Sequence, residues 1–300
     1  MKIINFGSLN IDNVYNVCDF VKPGQTILAD SFHVAAGGKG LNQSIAAARA
    51  GAHVIHAGAI GQNGDFLAEI LQEAGVDTSQ LLRLDAPTGH TVIEVNAEGQ
   101  NRIIVHGGTN QMLTDEYIDA VLLRSTPGDL VLLQNETNLI SSIIAKSHKK
   151  GLKTAFNPSP IPDHMSSLPL ELVDYFMVNE LEAAQLADMD TDNSYEAILE
   201  CLSKKYPHSA IIMTLGHNGV LFSQGSTRLS HPIFKVSTVD TTAAGDTFCG
   251  YFLAALCRNS PIETGLKEAS AASAIAVSRP SAAPSIPLYN EVQEFLINAM

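Results

Sequence analysis

The chain alternates between short, almost wholly apolar runs and longer segments that are amphipathic or rich in alanine. The apolar runs predict strands at residues 3–8, 53–60, 129–134, 153–157, 174–179 and 210–215. The other segments predict helices near residues 40–50, 64–74, 115–124, 138–150, 180–187, 194–205, 245–258, 262–277 and 288–298. Such alternation is typical of βαβ units, so it predicts a doubly wound α/β fold with a mostly parallel sheet flanked by helices. Sheets of this kind bind ligands at the carboxyl ends of their strands.

Two β-rich stretches do not fit the alternation. Residues 13–34 carry strand-like pieces around Pro23-Gly24 and no helix. Residues 90–106 form two β-rich runs about a polar, glycine-containing turn, which is the pattern of a hairpin. We expect both stretches to belong to one small sheet that projects from the main body. Because no linker or repeat divides the 300 residues, we expect a single domain over residues 1–300.

Composition and charge restrict the class of partner. With 45% apolar residues, a net charge of -13 and no Lys/Arg run, the chain is expected to be globular and not to bind nucleic acid. The first residues lack the features of a signal peptide and no apolar run is as long as a membrane span, so we expect a cytoplasmic protein without membrane contact. The cysteines at positions 18, 201, 249 and 257 contain no CxxC pair and are expected to be reduced and mostly buried. The ten histidines form no metal-binding pattern.

The stretch DTTAAGDTF, residues 240–248, admits two interpretations. It follows the strand-like segment FKVSTVD and leads into an apolar helix, whose free N-terminal amides and dipole would form an anion site. The alternative is ordinary helix capping, with Thr at the cap and an acid in the first turn. A capping box places the acid three residues after the cap, and Asp246 misses that register for both Thr241 and Thr242. The spacing alone leaves a catalytic and a structural role equally open.

Polar or glycine-rich motifs also follow the other predicted strands. GSLNID comes after the first strand, and GGKGLN resembles a phosphate loop without the GxxxxGK[ST] spacing of a P-loop. VLLQNE, MVNELEA and TLGHNG end later strands. Each motif alone is typical of turns or tight packing, but together they predict a polar ligand site at one edge of the sheet.

These motifs, in this order, resemble the ribokinase (PfkB-type) family of sugar kinases over nearly the whole chain. The similarity rests on GSLNID, GGKGLNQ, QNE, NPSP, VNELEA, TLGHNG and DTTAAGDTF. It implies a doubly wound α/β body with a β-sheet lid, formed here by about 13–34 and 90–106. Family lids close over the sugar, which keeps water from the phosphoryl group, and often pair into a homodimer.

The resemblance also implies roles for individual residues. Asp246 would be the catalytic base that takes the proton of the sugar's primary hydroxyl as it attacks the γ-phosphorus of ATP. The amides of Ala243, Ala244 and Gly245 would form the anion hole. The implied sugar-binding residues are Asn10, Asp12, Gly38, Lys39, Asn42, Glu136 and Asp246. The implied nucleotide-binding residues are Asn179, Thr214, Gly216, Gly219, Gly245 and Ser270.

Two metal ions are implied as well. Mg²⁺ would be held mainly by phosphates and water, with Glu182 nearby. A monovalent cation, usually K⁺, would lie beside the anion hole. Its implied ligands are carbonyl or hydroxyl groups of Asp240, Thr242, Ala276, Arg279, Ser281 and Ser285. Pro280 and Ser281 replace the Lys-Gly usual in ribokinases, and the loss of that Gly is expected to strain the K⁺ site. Ser270 stands where a larger adenine-contacting side chain is common.

The expected activity is ATP-dependent conversion of D-ribose to D-ribose 5-phosphate. The alternative is the same phosphoryl transfer to deoxyribose, another sugar or a nucleoside. A second class is a non-catalytic sugar or nucleotide sensor on the same fold, although the implied base and Lys39 are present. A third is a Rossmann-type oxidoreductase, which the absence of GxGxxG after the first strand disfavours.

Overall fold

A central eight-stranded sheet organises the computed structural model, which describes residues 1–161 and 165–299. The strands in chain order are β1 (Ile3–Phe6), β2 (Asn10–Asn16), β3 (Ser31–Gly37), β4 (Val54–His56), β5 (Ala59–Gln62), β6 (Leu82–Pro87), β7 (Gly89–Val95), β8 (Asn101–His106), β9 (Leu130–Gln134), β10 (Lys153–Asn157), β11 (Tyr175–Asn179), β12 (Ala210–Thr214), β13 (Val220–Gln224) and β14 (Thr227–His231). The central sheet has the order β14-β13-β12-β11-β10-β9-β1-β4. Its first six strands along the chain are parallel, and β13 and β14 add an antiparallel edge. The predicted mostly parallel sheet is therefore confirmed.

Helices cover both faces of this sheet. They are α1 (Lys39–Arg49), α2 (Asp65–Glu73), α3 (Asp115–Leu122), α4 (Ile140–Lys149), α5 (Glu180–Ala187), α6 (Tyr195–Lys205), α7 (Ala244–Cys257), α8 (Ile262–Val277) and α9 (Tyr289–Asn298). One buried apolar cluster joins the sheet to α1, α2, α7, α8 and α9, and a second joins it to α3 through α6. All of the predicted helices are present. Within the described ranges, no helix combines the length and the apolar character that a membrane crossing requires.

A second, four-stranded sheet has the order β3-β2-β7-β8. Strands β2 and β3 form one antiparallel hairpin, β7 and β8 form another, and β2 pairs with β7 in parallel. The two β-rich stretches therefore do form one small sheet, as the sequence predicted. We call it the lid sheet. Its strands begin nearer the body than expected, so Asn10 and Asp12 belong to β2.

Two predicted strands are wrong in detail. The strand at 53–60 is divided into β4, which pairs with β1, and β5, which pairs with β6 in a separate sheet. The break comes at Gly58, where a Cβ atom would lie 2.6 Å from the carbonyl oxygen of Gly7. The segment FKVSTVD, residues 234–240, forms no strand. Phe234, Lys235, Val236 and Thr238 line a cavity instead, so the β-like composition of the segment has another cause.

The sequence prediction also missed β6, β13 and β14. All three are short and partly exposed, so they lack the continuous apolar character of the inner strands. The expectation that the cysteines are mostly buried is wrong. All four are free, but only Cys249 is buried, whereas Cys18 is exposed and the other two are intermediate.

Candidate active site

The strand-end motifs converge at one edge of the central sheet. Strands β9, β10, β11 and β12 all point their carboxyl ends toward this edge, because they are parallel neighbours. The N-termini of α1 and α7 meet the same edge. The predicted clustering of strand-end residues follows from this topology.

Glycines let the start of α1 approach the turn after β1. Gly38 has a φ of 96°, which favours glycine, and precedes the first residue of the helix. A Cβ atom on Gly40 would lie 2.2 Å from the amide nitrogen of Ser8, and one on Gly37 would lie 1.9 Å from Oδ2 of Asp12. The GGKG motif is therefore a close-approach turn that places Lys39 and Asn42 beside the first strand.

Asp246 lies in the first turn of α7 and does not cap it. The helix has Ala243 at its N-cap with a φ of 60° and no side-chain hydrogen bond there, so the Thr-capping alternative is wrong. The Asp246 carboxylate is buried and accepts one hydrogen bond on each oxygen. Asn42 Nδ2 donates to Oδ2 at 3.0 Å and Gln43 Nε2 donates to Oδ1 at 2.9 Å. Both donors belong to α1, so the carboxylate is held near the start of that helix, although Gln43 and Asp246 are 203 residues apart in sequence.

The helix start beside Asp246 presents unpaired amides. The amides of Ala243 and Gly245 donate to no acceptor in the part of the chain that the structure describes, whereas Ala244 N donates to Thr241 O at 3.3 Å. No atom lies within 4 Å of the position that a Cβ on Gly245 would occupy. This open helix N-terminus suits an anion.

Charged groups from different elements interact around Lys39. Glu136 accepts hydrogen bonds from the Lys39 amide at 3.0 Å and from the Ser8 hydroxyl. Burial, the largest single influence, would lower the pKa of Lys39, but the negative charges led by Asp246 and Glu136 outweigh it and raise that pKa. Lys39 therefore stays protonated at neutral pH, next to the position where an anion would bind.

The pKa of Asp12 is raised as well, which for a carboxyl group disfavours the charged form. Burial raises its pKa, and the charge of Glu136 adds to this shift, although the hydrogen bond that Thr91 Oγ1 donates at 2.7 Å opposes it. Asn10 is buried and its Oδ1 accepts from Asn110 Nδ2 at 2.8 Å. Both side chains are thus positioned by residues outside their own motif.

Asn42 has one group available to a ligand. Its Nδ2 is used by Asp246, but its buried Oδ1 has no partner within residues 1–161 and 165–299. A buried amide oxygen without a partner is costly, so this atom is suited to accept a hydrogen bond from a ligand hydroxyl.

Two adjoining cavities occupy this edge of the sheet. The smaller, of about 240 Å³, has Lys39, Asn179, Glu182 and Asp246 among its lining residues. The larger, of about 550 Å³, has mostly apolar walls between β12, the 233–238 segment and α8. Both are lined by Thr214, Thr241, Ala244, Gly245 and Phe248. Of the implied nucleotide residues, Thr214, Gly216, Gly219, Gly245 and Ser270 line the larger cavity.

Glu182 also serves the local helix. Its Oε2 accepts from the Asn179 amide at 3.0 Å while Asn179 Oδ1 accepts from the Glu182 amide at 2.8 Å, which forms a capping box at the start of α5.

The implied cation residues are only partly joined in this structure. Asp240 Oδ1 accepts from the Thr242 amide at 2.9 Å and from its hydroxyl at 2.6 Å, and Asp240 Oδ2 accepts from the Ser281 amide at 3.0 Å. Although burial raises the pKa of Asp240, these hydrogen bonds outweigh it and lower the pKa. Arg279 instead pairs with Glu291, and the Ser285 hydroxyl donates to Ala282 O. Ser281 has a φ of 77°, in the region that favours glycine.

Sequence reasoning missed several residues of the site. Gln43 contacts Asp246 directly, Asn157 lines the smaller cavity, and Thr91 and Asn110 hold Asp12 and Asn10. Gln43 stands next to Asn42 in the GGKGLNQ motif, so its position carried a signal. Thr91 and Asn110 carried none, because their partners are 79 and 100 residues away.

The geometry combines a fixed carboxylate, a lysine and an open helix N-terminus. A carboxylate held in this way can take a proton from a hydroxyl, and the lysine and amides can stabilise an anionic group nearby.

Known proteins are similar to this chain over nearly its whole length. The sequence model of the pfkB family carbohydrate kinases matches residues 1–288. A ribokinase of Haemophilus influenzae is 34% identical over 302 residues, which cover 98% of this chain and 97% of that protein. A deoxyribokinase of Salmonella typhi is 29% identical over 303 residues, 99% of each chain. A ribokinase of Arabidopsis thaliana, solved with ribose and ATP, has a TM-score of 0.86 and 28% sequence identity, with 98% of each chain covered.

Proposed function

This chain belongs to the pfkB family of carbohydrate kinases, and we propose that it transfers the γ-phosphoryl group of ATP to the primary hydroxyl of D-ribose. The observation that carries this proposal is the buried Asp246 carboxylate, held by two amide donors beside an open helix N-terminus. The Haemophilus influenzae and Arabidopsis thaliana ribokinases support ribose as the acceptor.

Asp246 acts as the general base of the reaction. It takes the proton of the attacking hydroxyl as the new oxygen–phosphorus bond forms and the bond from the γ-phosphorus to the β–γ bridging oxygen breaks, which releases ADP; the base contributes about 10²–10⁴-fold in rate. The amides of Ala243, Ala244 and Gly245 stabilise the transferring group, and the protonated Lys39 adds positive charge. Ala244 N must exchange its 3.3 Å contact with Thr241 O to take part. Most of the remaining acceleration comes from positioning and charge stabilisation.

Asn10, Asp12, Gly38, Lys39, Asn42 and Glu136 form the sugar site. Asn42 Oδ1 accepts from a sugar hydroxyl, which would satisfy the buried oxygen that lacks a partner among the described residues. The carboxylates of Asp12 and Glu136 accept further hydroxyls, since an ionised carboxylate has several acceptor positions.

The larger cavity receives the adenosine part of ATP. Its apolar walls suit a base, while its shared boundary with the smaller cavity leads the phosphates toward Gly245 and Asp246. The acid-lined smaller cavity, with Glu182 and Asp246, suits phosphates accompanied by Mg²⁺. Mg²⁺ would neutralise phosphate charge in this cavity, which Asn179 and Glu182 line.

A monovalent cation, K⁺, is proposed beside the anion hole. Oxygen donors of Asp240, Thr242, Ala276, Arg279, Ser281 and Ser285 would hold it. The donor set fits, because the ionised Asp240 carboxylate bridges the 240–242 and 278–285 segments. A bound cation would order the loop that precedes Ala243.

The lid sheet is proposed to close over the sugar and to pair with a second copy. Strand register places Phe32, Val34, Val92 and Ile104 on the face opposite Asp12. These four side chains are exposed, by 53%, 49%, 38% and 71%. An apolar patch of this kind on a monomer is typical of an interaction surface. Sedimentation of the purified protein tests this, and a monomer at all concentrations would contradict it.

A substrate panel tests the proposed acceptor. The kcat/KM with ATP should be higher for D-ribose than for 2-deoxy-D-ribose, other pentoses, hexoses and nucleosides. The Salmonella typhi deoxyribokinase makes deoxyribose the alternative to be compared most closely. A clearly higher kcat/KM for another acceptor would overturn the ribose assignment while leaving phosphoryl transfer intact.

A further inference from the structure

A buried chain of hydrogen bonds runs from Asp246 into the core of the protein. We propose that Gln43 is a positioning residue for Asp246, and that Gln134, Asn5, Ser44 and His56 fix its orientation. The five side chains in this series of hydrogen bonds are between 0% and 1% exposed, and they belong to Gln43, Gln134, Asn5, Ser44 and His56. The inference rests on the proposed role of Asp246 as the base.

Each link of the chain is a direct contact. Gln43 Nε2 donates to Asp246 Oδ1 at 2.9 Å, and Gln134 Nε2 donates to Gln43 Oε1 at 2.7 Å. Gln134 Nε2 also donates to Asn5 Oδ1 at 3.1 Å, and Asn5 Nδ2 donates to Ser44 Oγ at 2.8 Å. The elements joined are β1, β9, α1 and α7, so the chain ties the base to the centre of the sheet.

The chain ends on His56. Its Nδ1 lies 2.8 Å from Ser44 Oγ and its Nε2 lies 3.1 Å from the carbonyl oxygen of Gly7. Because a carbonyl can only accept, Nε2 carries the proton and donates to Gly7. In the neutral ring Nδ1 is then an acceptor, and Ser44 donates to it.

Only one orientation of each side-chain amide satisfies all of these contacts. Asn5 Nδ2 also donates to the carbonyl oxygen of Gly40 at 2.8 Å, which fixes the orientation of the Asn5 amide. Reversing Gln43 would turn its oxygen toward the Asp246 carboxylate. Reversing Gln134 would turn its oxygen toward the oxygens of Asn5 and Gln43. In the present orientation Gln134 Oε1 has no partner within the described ranges. The reversed orientation would be less favourable, because it would place the Gln134 oxygen against the acceptor oxygens of Asn5 and Gln43.

Neutrality of His56 is part of this arrangement. Full burial lowers the pKa of His56 to about 4, although its hydrogen bond to Gly7 opposes the shift. A charged ring would donate from Nδ1, and Ser44 would lose its acceptor for the hydroxyl proton. The neutral ring therefore accepts the Ser44 proton, while the donors point away from Gln134 in both directions, through Gln43 to Asp246 and through Asn5 and Ser44 to His56.

The consequence for catalysis is a carboxylate of fixed orientation. Asn42 and Gln43 each hold one oxygen of Asp246, so the plane of the group cannot turn freely. The Cys249 thiol, which donates to Gln43 Oε1 at 3.6 Å, is a second restraint on the Gln43 amide.

Gln43→Met tests the positioning role, because methionine keeps the length and removes both polar atoms. We expect kcat to fall about tenfold, while the KM values for ribose and ATP stay within about twofold, since neither ligand contacts Gln43 in the proposal. Lys39, Glu182 and Cys249 also face this cavity, but the variant removes no contact to their side chains except that of Cys249.

The control is Gln72→Met in α2, which removes an exposed amide hydrogen bond to Thr78 and should leave kcat unchanged. A kcat of Gln43→Met equal to that of the wild type would overturn the positioning role. In an Asp246→Asn background Gln43→Met should have no further effect on kcat. If Asp246→Asn itself turns over normally, the proposed base fails, which is a different result from failure of Gln43 alone.

Nuclear magnetic resonance of the unmodified protein tests the His56 end of this series of hydrogen bonds. The ¹⁵N shifts of His56 should report a neutral ring protonated on Nε2 at neutral pH. A charged ring, or a ring protonated on Nδ1, would overturn the hydrogen bonds assigned to His56 with Ser44 and Gly7 even if every variant failed to fold.

Discussion

The sugar half and the nucleotide half of the proposed site are built in different ways. In the sugar half, polar side chains from α1, α7, the lid sheet and the turn after β9 hydrogen bond to one another before any ligand binds. In the nucleotide half, glycines, small residues and apolar walls surround a larger cavity. On the proposed function, sugar binding would therefore depend on prearranged polar and charged groups, whereas nucleotide binding would depend on cavity shape and free backbone groups.

Asp246→Asn should have the largest effect, because Asp246 is the junction of the two halves. We expect kcat to fall at least 100-fold while ribose and an ATP analogue still bind, since Asn keeps the shape and loses the basic oxygen. Calorimetry measures binding and a coupled assay measures turnover. Glu263→Gln is the control, because Glu263 is an exposed acid in the first turn of the neighbouring helix α8. Normal turnover in Asp246→Asn would exclude it as the base and favour the sensor alternative.

Asp12→Asn should affect only the sugar half. A hydrogen bond to a charged group contributes about 1.5–3 kcal/mol, so the KM for ribose should rise about 10- to 100-fold with the KM for ATP within about twofold. Because the pKa of Asp12 is raised, the carboxylate takes up a proton at a higher pH than an ordinary Asp. Ribose binding by the wild type should therefore weaken as the pH falls through that raised value, and Asp12→Asn should lose this dependence.

The matched control for Asp12→Asn is Asn16→Ala, farther along β2, which removes an exposed hydrogen bond to Ser31. It should change neither KM. A larger change in the KM for ATP than for ribose in Asp12→Asn would break the division between the two halves.

Ser270→Phe should affect only the nucleotide half. Ser270 is buried on α8 and lines the larger cavity, so a phenyl ring would take space from the base. Overpacking costs about 1–3 kcal/mol, and the KM for ATP should rise roughly tenfold with little change for ribose. Thr264→Phe, on an exposed position of the same helix, is the control. An unchanged KM for ATP would place the base elsewhere.

Ser281→Gly should have the smallest effect and should spare both halves. Ser281 adopts a φ of 77°, which costs a residue with a Cβ about 1 kcal/mol relative to glycine. The free energy of unfolding in urea should increase by about that amount. Ser278→Gly, in the same segment at a φ of −84°, relieves no such strain and should not stabilise the protein. Equal stability of Ser281→Gly and wild type would show that the loop carries no strain there.

Local patterns in the sequence predicted much of the fold because each inner strand is buried on both faces and each helix repeats its apolar face. They failed where a pattern had another cause. The apolar residues in 234–240 line a cavity and do not form a sheet. The antiparallel strand β13 and the exposed edge strand β14 lack the continuous apolar signal of the inner strands.

The sequence by itself determined the order of the elements, the family resemblance and the motif positions of Asp246, Lys39 and Asn42, because these depend on short-range patterns. Only the tertiary structure determined which groups touch. Gln43 meets Asp246 across 203 residues, and Ser281 meets Asp240 across 41. Such contacts arise from the packing of α1 against α7 and of one loop against another, where the free energy depends on geometry that no local pattern encodes.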